Sequence, residues 1–303
     1  MRWEIGRTLR GAMAEKNGLA LRSGRDRVYS IVNKRPSVIV NADDFGLTSG
    51  VNRAVEEAHR SGILTSTTVL VGFDAAAEAA DVARRCPELG IGLHVNLTEG
   101  RPVLDPARVR TLVDGEGLFD PGLARRALLG RVDARHVHDE VAAQAARLRA
   151  LGVEPSHWDS HQGIAFWPQL VRPIAAATRA AGITRARSQR VWATGRTASS
   201  PTTVAIRLAE RASAFGLRTF ATPDRRTSAA LAGGWGALLR VLPATGTTEI
   251  VTHPAHVDDA LVALSPSLVA EREADLAGLL DAGNRAEAER RGFAFVNFAA
   301  ISR

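Results

Sequence analysis

The sequence predicts an α/β protein built on a mostly parallel sheet. Runs rich in β-branched residues alternate with amphipathic helical runs from residue 37 to the end of the 303-residue chain. About eight strand-like runs alternate with helices, which is typical of consecutive βαβ units. Such a sheet is either closed as a barrel or open and doubly wound. In both architectures function lies at the carboxyl ends of the strands.

The first βαβ unit is the clearest. SVIVNADDFG at 37–46 contains an apolar run of strand length. It is followed by TSGVNRAVEEAHRSG, in which Val51, Ala54 and Val55 share one helical face, a threonine or serine can cap the start, and Gly62 can end the helix. ILTSTTVLV at 63–71 is rich in β-branched residues and predicts the second strand.

The same alternation continues to the end of the chain. Later helices are predicted over 74–85, 133–151, 168–181, about 202–214, about 228–241 and 266–282, and later strands over 89–97, 154–160, 183–187, 217–221, 248–253 and 293–298. Two segments, 98–132 and 188–200, have no clear element and are rich in small and polar residues. Connections of this length are commonly functional loops.

Composition limits the kind of site. Cys86 is the one cysteine, which excludes an intramolecular disulfide framework and a four-thiolate metal centre. The net charge of +7 comes from arginines scattered along helical runs, with few aromatic residues between them. This pattern indicates a solvated basic surface and no nucleic-acid partner.

The domain and location predictions follow from charge and hydropathy. Residues 1–35 form a basic N-terminal extension with no apolar signal-peptide core, and residues 36–303 form one catalytic domain. No run approaches the roughly 20 apolar residues that span a bilayer. We therefore expect a cytoplasmic protein without a membrane span, and a homodimer as the default oligomeric state.

Polar residues follow four of the predicted strands where each strand ends. The pairs are Asp43 and Asp44, His94 and Asn96, and Asp159 and His161, with His253 alone on the fourth strand. Because the carboxyl ends of parallel strands meet at one edge, these side chains are expected to converge.

Each candidate has an ordinary structural alternative. An aspartate of the pair can simply cap the following helix. His94, in an apolar strand, can be a hydrogen-bonded core residue. His157, Asp159 and His161 recur with a period of two, which puts them on one strand face if the strand persists, and three such side chains are hard to explain as core.

Metal-assisted hydrolysis is the chemistry that these residue types favour. Imidazoles and a carboxylate suit Zn²⁺ and related divalent ions, which activate water and polarise a carbonyl. Asp43 could then accept a proton and His253 could donate one to the leaving group. GxSxG, GxGxxG and GxxxxGK[ST] motifs are absent, so serine-hydrolase, dinucleotide and P-loop chemistry have no support.

The motifs also resemble those of one family. NADDFG, GILTSTT, GLHVNLTEG, PSHWDSH and EIVTHP, followed by a late READL, are similar in kind and order to the motifs of YdjC-type carbohydrate deacetylases, which include chitooligosaccharide deacetylases. The resemblance covers about residues 37 to 300. It implies a distorted TIM-like (β/α) barrel related to the polysaccharide deacetylases, and removal of acetyl groups from N-acetylated sugars or oligosaccharides.

The resemblance also implies roles for five residues. Asp44, His94 and His161 match the family's metal ligands, for one divalent ion such as Mg²⁺ or Zn²⁺. Asp43 matches the catalytic base, and His253 matches the histidine that acts as acid or orients the substrate.

Departures from the family pattern leave alternatives for the substrate. The family commonly continues DSH as DSHxHxH, whereas Gly163 and Ala165 stand at the places of those histidines here. Ala255 also replaces a common glycine after THP. A deacetylase or amidase acting on another acetylated substrate, such as a lipid-linked sugar, is one alternative. A metal-binding protein without activity is another.

Overall fold

The structure is a computed structural model that describes residues 35–193 and 213–302. The predicted basic extension, apart from Arg35, and most of the helix predicted near 202–214 lie outside the described residues. In the described part of the chain, no helix is long and apolar enough to cross a membrane.

The sheet is parallel throughout its paired strands. The strands are β1 Ser37–Phe45, β2 Ser66–Val69, β3 Gly90–Val95, β4 Trp158–Ser160, β5 Arg225–Thr227, β6 Thr247–Thr252 and β7 Ala294–Phe295. Their order is β4-β3-β2-β1-β6-β5, and β7 pairs with the start of β1. Long β1 therefore lies at the centre, where a buried parallel strand reads as a continuous apolar run.

The edges of the sheet bridge to one short segment. Ala186 pairs with Trp158 of edge strand β4, and Val191 pairs with Arg226 of edge strand β5. Because one segment bridges both edges, the sheet curls into an irregular barrel. The predicted distorted (β/α) barrel with mostly parallel strands is confirmed.

Helices connect the strands. They are α1 Ser49–Ser61, α2 Ala76–Arg85, α3 Leu123–Leu128, α4 Ala134–Ala150, α5 Pro168–Ala180, α6 Ala229–Ala232, α7 Trp235–Val241, α8 Asp259–Leu264, α9 Val269–Leu280 and α10 Ala282–Arg290. The cap predicted for α1 is present, since the side chain of Thr48 accepts a hydrogen bond from the backbone N–H of Val51. That hydroxyl satisfies one of the unpaired amides of the first turn.

Several predicted elements differ. The single helix predicted over 228–241 is wrong, because Gly233 (φ 84°) and Gly234 (φ 109°) break it into α6 and α7. The strands predicted over 183–187 and 217–221 are reduced to isolated bridges. Short elements α3, which lies in the segment 98–132 predicted to have no clear element, α8, α10 and β5 were not predicted, since they are too short or too polar to show a clear period.

A β-bulge interrupts β1 at the two aspartates. Ala42 pairs with Thr67 of β2, but the next pairing joins Phe45 to Val69, so β1 has one residue more than its partner over this interval. Asp44 has φ 64°, the left-handed conformation that aspartate tolerates better than most residues. Neighbouring side chains of a regular strand point to opposite faces, and the bulge removes that restriction.

The loop after β3 is attached to α4 by a buried carboxylate. Glu140 of α4 is fully buried and accepts hydrogen bonds from the backbone N–H groups of Val103 (2.9 Å) and Leu104 (3.0 Å) and from the side chain of Gln144 (2.9 Å). The same loop carries Glu99, which reaches the candidate site described below. Glu140 therefore holds this loop in position.

Replacing Glu140 by glutamine is expected to lower the free energy of unfolding by about 1–3 kcal/mol, because the new amide would point a donor at a backbone N–H. Urea unfolding at neutral pH measures this difference. The matched control is Asp139→Asn, an exposed carboxylate-to-amide change on the same helix, which should alter stability by less than about 0.5 kcal/mol. Equal effects of the two changes would show that Glu140 does not hold the loop.

Candidate metal centre

The strand ends bring together the three residues predicted to bind metal. Asp44 Oδ1 lies 3.3 Å from His94 Nε2 and 3.0 Å from His161 Nδ1. All three side chains are buried, and one candidate ligand atom from each lies within 4.8 Å of the others. Asp44 comes from the bulge in β1, His94 from the end of β3, and His161 from the residue after β4.

His94 is held by a carboxylate on its other nitrogen. Its Nδ1 lies 2.5 Å from Asp159 Oδ1, and Thr68 Oγ1 donates to Asp159 Oδ2 at 3.0 Å. Burial lowers the pKa of His94, but Asp159, with Asp44 and Asp43, outweighs burial and raises that pKa to about 10. A carboxylate on the outer nitrogen is the usual support for a metal-binding imidazole, and it leaves Nε2 facing Asp44.

Asp44 and His161 each have a further charged partner. Arg272 of α9 donates to Asp44 Oδ2 at 2.6 Å, and His161 Nε2 lies 2.9 Å from Glu99 Oε2. Burial alone would raise the pKa of Asp44, but His161 and His94 hold it well below its usual range. Asp44 is therefore a carboxylate, the form in which it can bind a cation.

Asp43 is paired with an arginine. Arg187 donates to both of its oxygens, at 2.7 Å to Oδ2 and 2.6 Å to Oδ1, and Asn41 donates to Oδ1 at 3.0 Å. Burial opposes ionisation, but Arg187, with His94 and His253, holds the pKa of Asp43 well below its usual range. Arg187 and Asn41 therefore fix the Asp43 carboxylate, and Oδ2 still has capacity for another hydrogen bond.

Arg187 connects several acidic groups. It also contacts Asp159 Oδ2 at 2.7 Å and Glu249 Oε1 at 2.7 Å. Burial raises the pKa of Glu249 to about 7, although Arg187 opposes this shift. Arg187 therefore neutralises part of a strongly acidic group of buried side chains.

The donor set and the charge fit a divalent cation. The carboxylates of Asp43, Asp44, Asp159 and Glu249 are all buried, and Arg187 contacts three of them while Arg272 contacts Asp44. Two imidazoles and a carboxylate form a ligand set typical of Zn²⁺ and related ions. The surrounding carboxylates raise the pKa of His94 and of His161 despite burial, so a cation at Asp44, His94 and His161 would take the place of the added protons on these imidazoles.

His253 lies between this group and solvent. Its Nε2 is 3.8 Å from Asp43 Oδ2, its side chain is 42% exposed, and its backbone N–H donates to Asp275 Oδ2 at 2.8 Å. It lines a cavity of about 240 Å³ together with Asp43, Phe166 and Arg226, among others. The cavity leads from the surface to the carboxylate predicted to be the base.

The departure at Gly163 changes the wall of this cavity. Gly163 has φ 65°, and a Cβ at this position would lie 2.9 Å from Cδ2 of Phe166. The Phe166 ring lies under the guanidinium of Arg226, 4.7 Å from ring centroid to Cζ. A histidine at residue 163 would therefore conflict with Phe166 where it lies, so this wall differs from the family pattern.

Comparison with known proteins agrees with this geometry. The family model for YdjC-like proteins matches residues 37–290. The chain belongs to the YdjC-like family. The resemblance predicted from the motifs is confirmed.

Two proteins of similar sequence are named as deacetylases, and one similar solved structure has a different name. A carbohydrate deacetylase of Thermoanaerobacter pseudethanolicus is 33% identical over 80% of this chain and 90% of its own length. A chitooligosaccharide deacetylase of Serratia marcescens is 40% identical over 48% of this chain and 57% of its own length. Among solved structures, a candidate cellobiose-phosphate cleavage protein of Enterococcus faecalis has a TM-score of 0.72 and 26% identity, covering 89% of this chain and all of that one.

The structure adds site residues that the prediction lacked. These are Glu99, Arg187, Glu249 and Arg272, with Asp159 now placed behind His94. Three of the first four lie in the YdjC-like motifs given above, Glu99 in GLHVNLTEG, Glu249 in EIVTHP and Arg272 in READL. Arg187 had no such signal. The roles of the five residues named from the resemblance stay predictions.

Proposed function

We propose that this YdjC-like chain is a metal-dependent carbohydrate deacetylase that hydrolyses the N-acetyl group of an amino sugar or oligosaccharide. One observation carries the proposal: the buried group Asp44, His94 and His161 lies beside Asp43, which lines a cavity together with His253. The names of the two deacetylase relatives support the substrate class.

The chain's residues divide between holding a cation and moving protons. A divalent ion such as Mg²⁺ or Zn²⁺, held by Asp44, His94 and His161, would polarise the acetyl carbonyl and lower the pKa of water. Asp159 and Glu99 hold the outer nitrogens of the two imidazoles. The acidity of the site attracts the cation, and Arg272 keeps Asp44 in place.

Proton transfer falls to Asp43 and His253. Asp43 Oδ2 is placed to accept a proton from the attacking water, while Arg187 and Asn41 fix the orientation of the carboxylate. His253 Nε2, 3.8 Å from that oxygen and half exposed in the cavity, is placed to give a proton to the departing amine nitrogen. With a substrate in the cavity, base and acid would act on the attacking water and on the departing amine, respectively.

The test is acetate release from N,N′-diacetylchitobiose. Activity is expected to disappear after treatment with a chelator and to return when Zn²⁺, Mg²⁺, Mn²⁺ or Co²⁺ is added back, with bound metal measured by elemental analysis. Full activity in protein verified to contain no metal would contradict the proposal.

The altered cavity wall at Gly163 and Phe166 favours a second candidate, a deacetylase acting on another acetylated substrate. A panel of acetylated monosaccharides, chitooligosaccharides, lipid-linked acetylated sugars and acetyl esters distinguishes the two by the preferred substrate. Metal binding without acetate release from any member would instead support a protein that has lost activity. The cytoplasmic location and the homodimer stay predictions.

A further inference from the structure

His157 lies beneath the candidate site and outside its ligand group. The side chain is fully buried, and its ring stacks on Phe298 with centroids 3.8 Å apart and an interplanar angle of 7°. On β3, a Cβ at Gly92 would come within 2.6 Å of the His157 ring, so only glycine fits there without movement. These neighbours fix the plane of the imidazole.

The ring connects to the proposed base through one amide. His157 Nε2 is 3.3 Å from Asn41 Oδ1, and Asn41 Nδ2 is 3.0 Å from Asp43 Oδ1. An ionised carboxylate only accepts hydrogen bonds, so the NH₂ of Asn41 must face Asp43. The carbonyl oxygen of that amide then faces His157, which requires a hydrogen on Nε2.

The other ring nitrogen does not decide the assignment. Nδ1 must then accept, and Ser156 Oγ lies 2.9 Å from it. The Ser156 hydroxyl donates to the Ile91 carbonyl at 2.8 Å, so the Nε2–H assignment rests on the Asn41 and Asp43 side of the ring. Burial, with help from Arg187, holds the pKa of His157 well below its usual value, which keeps the ring neutral.

We propose that His157 is a positioning residue, which acts through Asn41 to hold the Asp43 carboxylate in the orientation needed for proton transfer. The hydrogens on His157 Nε2 and on Asn41 Nδ2 then both point toward Asp43. Without the donor on His157, the Asn41 amide can turn and present its oxygen to the carboxylate, which repels it. The inference rests on the proposed function, since it assigns Asp43 the role of base.

The variants His157→Gln and His157→Phe separate positioning from packing. A glutamine amide nitrogen reaches the place of Nε2 and can donate to Asn41, whereas phenylalanine keeps the stacked ring and cannot donate. Positioning predicts that kcat on N,N′-diacetylchitobiose falls about 10-fold in His157→Phe with little change in KM, and that His157→Gln regains most of it. A packing role predicts the opposite, with a kcat that is higher in His157→Phe than in His157→Gln. His138→Gln, the same change at a half-exposed histidine on α4, controls for the substitution itself.

Long-range ¹H–¹⁵N NMR of the wild-type protein gives a readout independent of activity. The His157 signals, identified by their loss in His157→Gln, are expected to show the Nε2–H tautomer. An Nδ1–H tautomer, or wild-type kcat in His157→Phe, would overturn the inference. If His157→Phe does not fold, the inference is tested by the tautomer of the wild-type protein and by the kcat of His157→Gln. A wild-type protein inactive on every substrate, yet showing the Nε2–H tautomer, would contradict the proposed function and leave the hydrogen-bond assignment in place.

Discussion

Replacing Asp43 by asparagine is expected to lower kcat by about 10²–10⁴-fold, the range for loss of a general base, while bound metal stays at the wild-type level. The asparagine amide cannot accept the proton, which explains the lower kcat. Metal stays bound because residue 43 is not one of the three proposed ligands. Acetate release and elemental analysis of the same preparation measure the two effects.

The control for this change is Asp139→Asn, the exposed carboxylate-to-amide substitution on α4, which should leave kcat unchanged. The new amide would face Arg187 and lose its ion pair, which can lower stability. Thermal unfolding of both variants therefore checks that Asp43→Asn is folded. A folded Asp43→Asn protein with full activity would rule out Asp43 as the base.

Replacing Asp44 by asparagine is expected to remove both bound metal and activity. The loss of the anionic ligand should weaken affinity by more than about 100-fold, the upper value for losing only an outer-shell partner. Asparagine tolerates the left-handed backbone of Asp44, so the bulge should persist and the charge is the main change.

Calorimetric titration with Zn²⁺ compares Asp44→Asn with Asp43→Asn, its matched neighbour. The proposed roles predict a clear separation, in which metal binding is lost in the first and kept in the second. Stoichiometric metal in Asp44→Asn at wild-type affinity would show that the cation is held elsewhere.

The positions at the strand ends could be predicted because they depend on topology alone. Once the strands are parallel, their carboxyl ends share one edge, and the residues at the ends of β1, β3, β4 and β6 lie along that edge. The structure indeed brings Asp44, His94 and His161 within 4.8 Å, and His253 near Asp43. Exact strand lengths were not needed for this prediction.

The arginines of the site could not be predicted in this way. Arg187 is 144 residues from Asp43, and Arg272 is 228 residues from Asp44. Lysine and arginine number 39 in this chain, so two that become buried look like the many that stay exposed. Only the folded chain shows which cations meet the aspartates.

His157 shows the limit of periodicity. The period of two correctly relates it to Asp159, but β4 ends at Ser160, and Gln162 (φ 49°) and Gly163 turn the chain at once. Asp159 reaches His94, while His157 lies deeper and packs on Phe298. His157 and Asp159 therefore share a strand face, but only Asp159 contacts a proposed metal ligand.

The bulge in β1 can be recognised from which positions of the strand, even-numbered or odd-numbered, carry the core residues. Val38, Val40 and Ala42 occupy even positions and belong to the main core, whereas Phe45, in the same core, is odd. Ile39 packs in a separate cluster on the opposite face. A strand whose core residues change from even to odd across two adjacent acids must contain one unpaired residue. The doubled aspartate is therefore an insertion into the alternation, and this kind of parity change can be searched for in other strands that present two neighbouring side chains to one site.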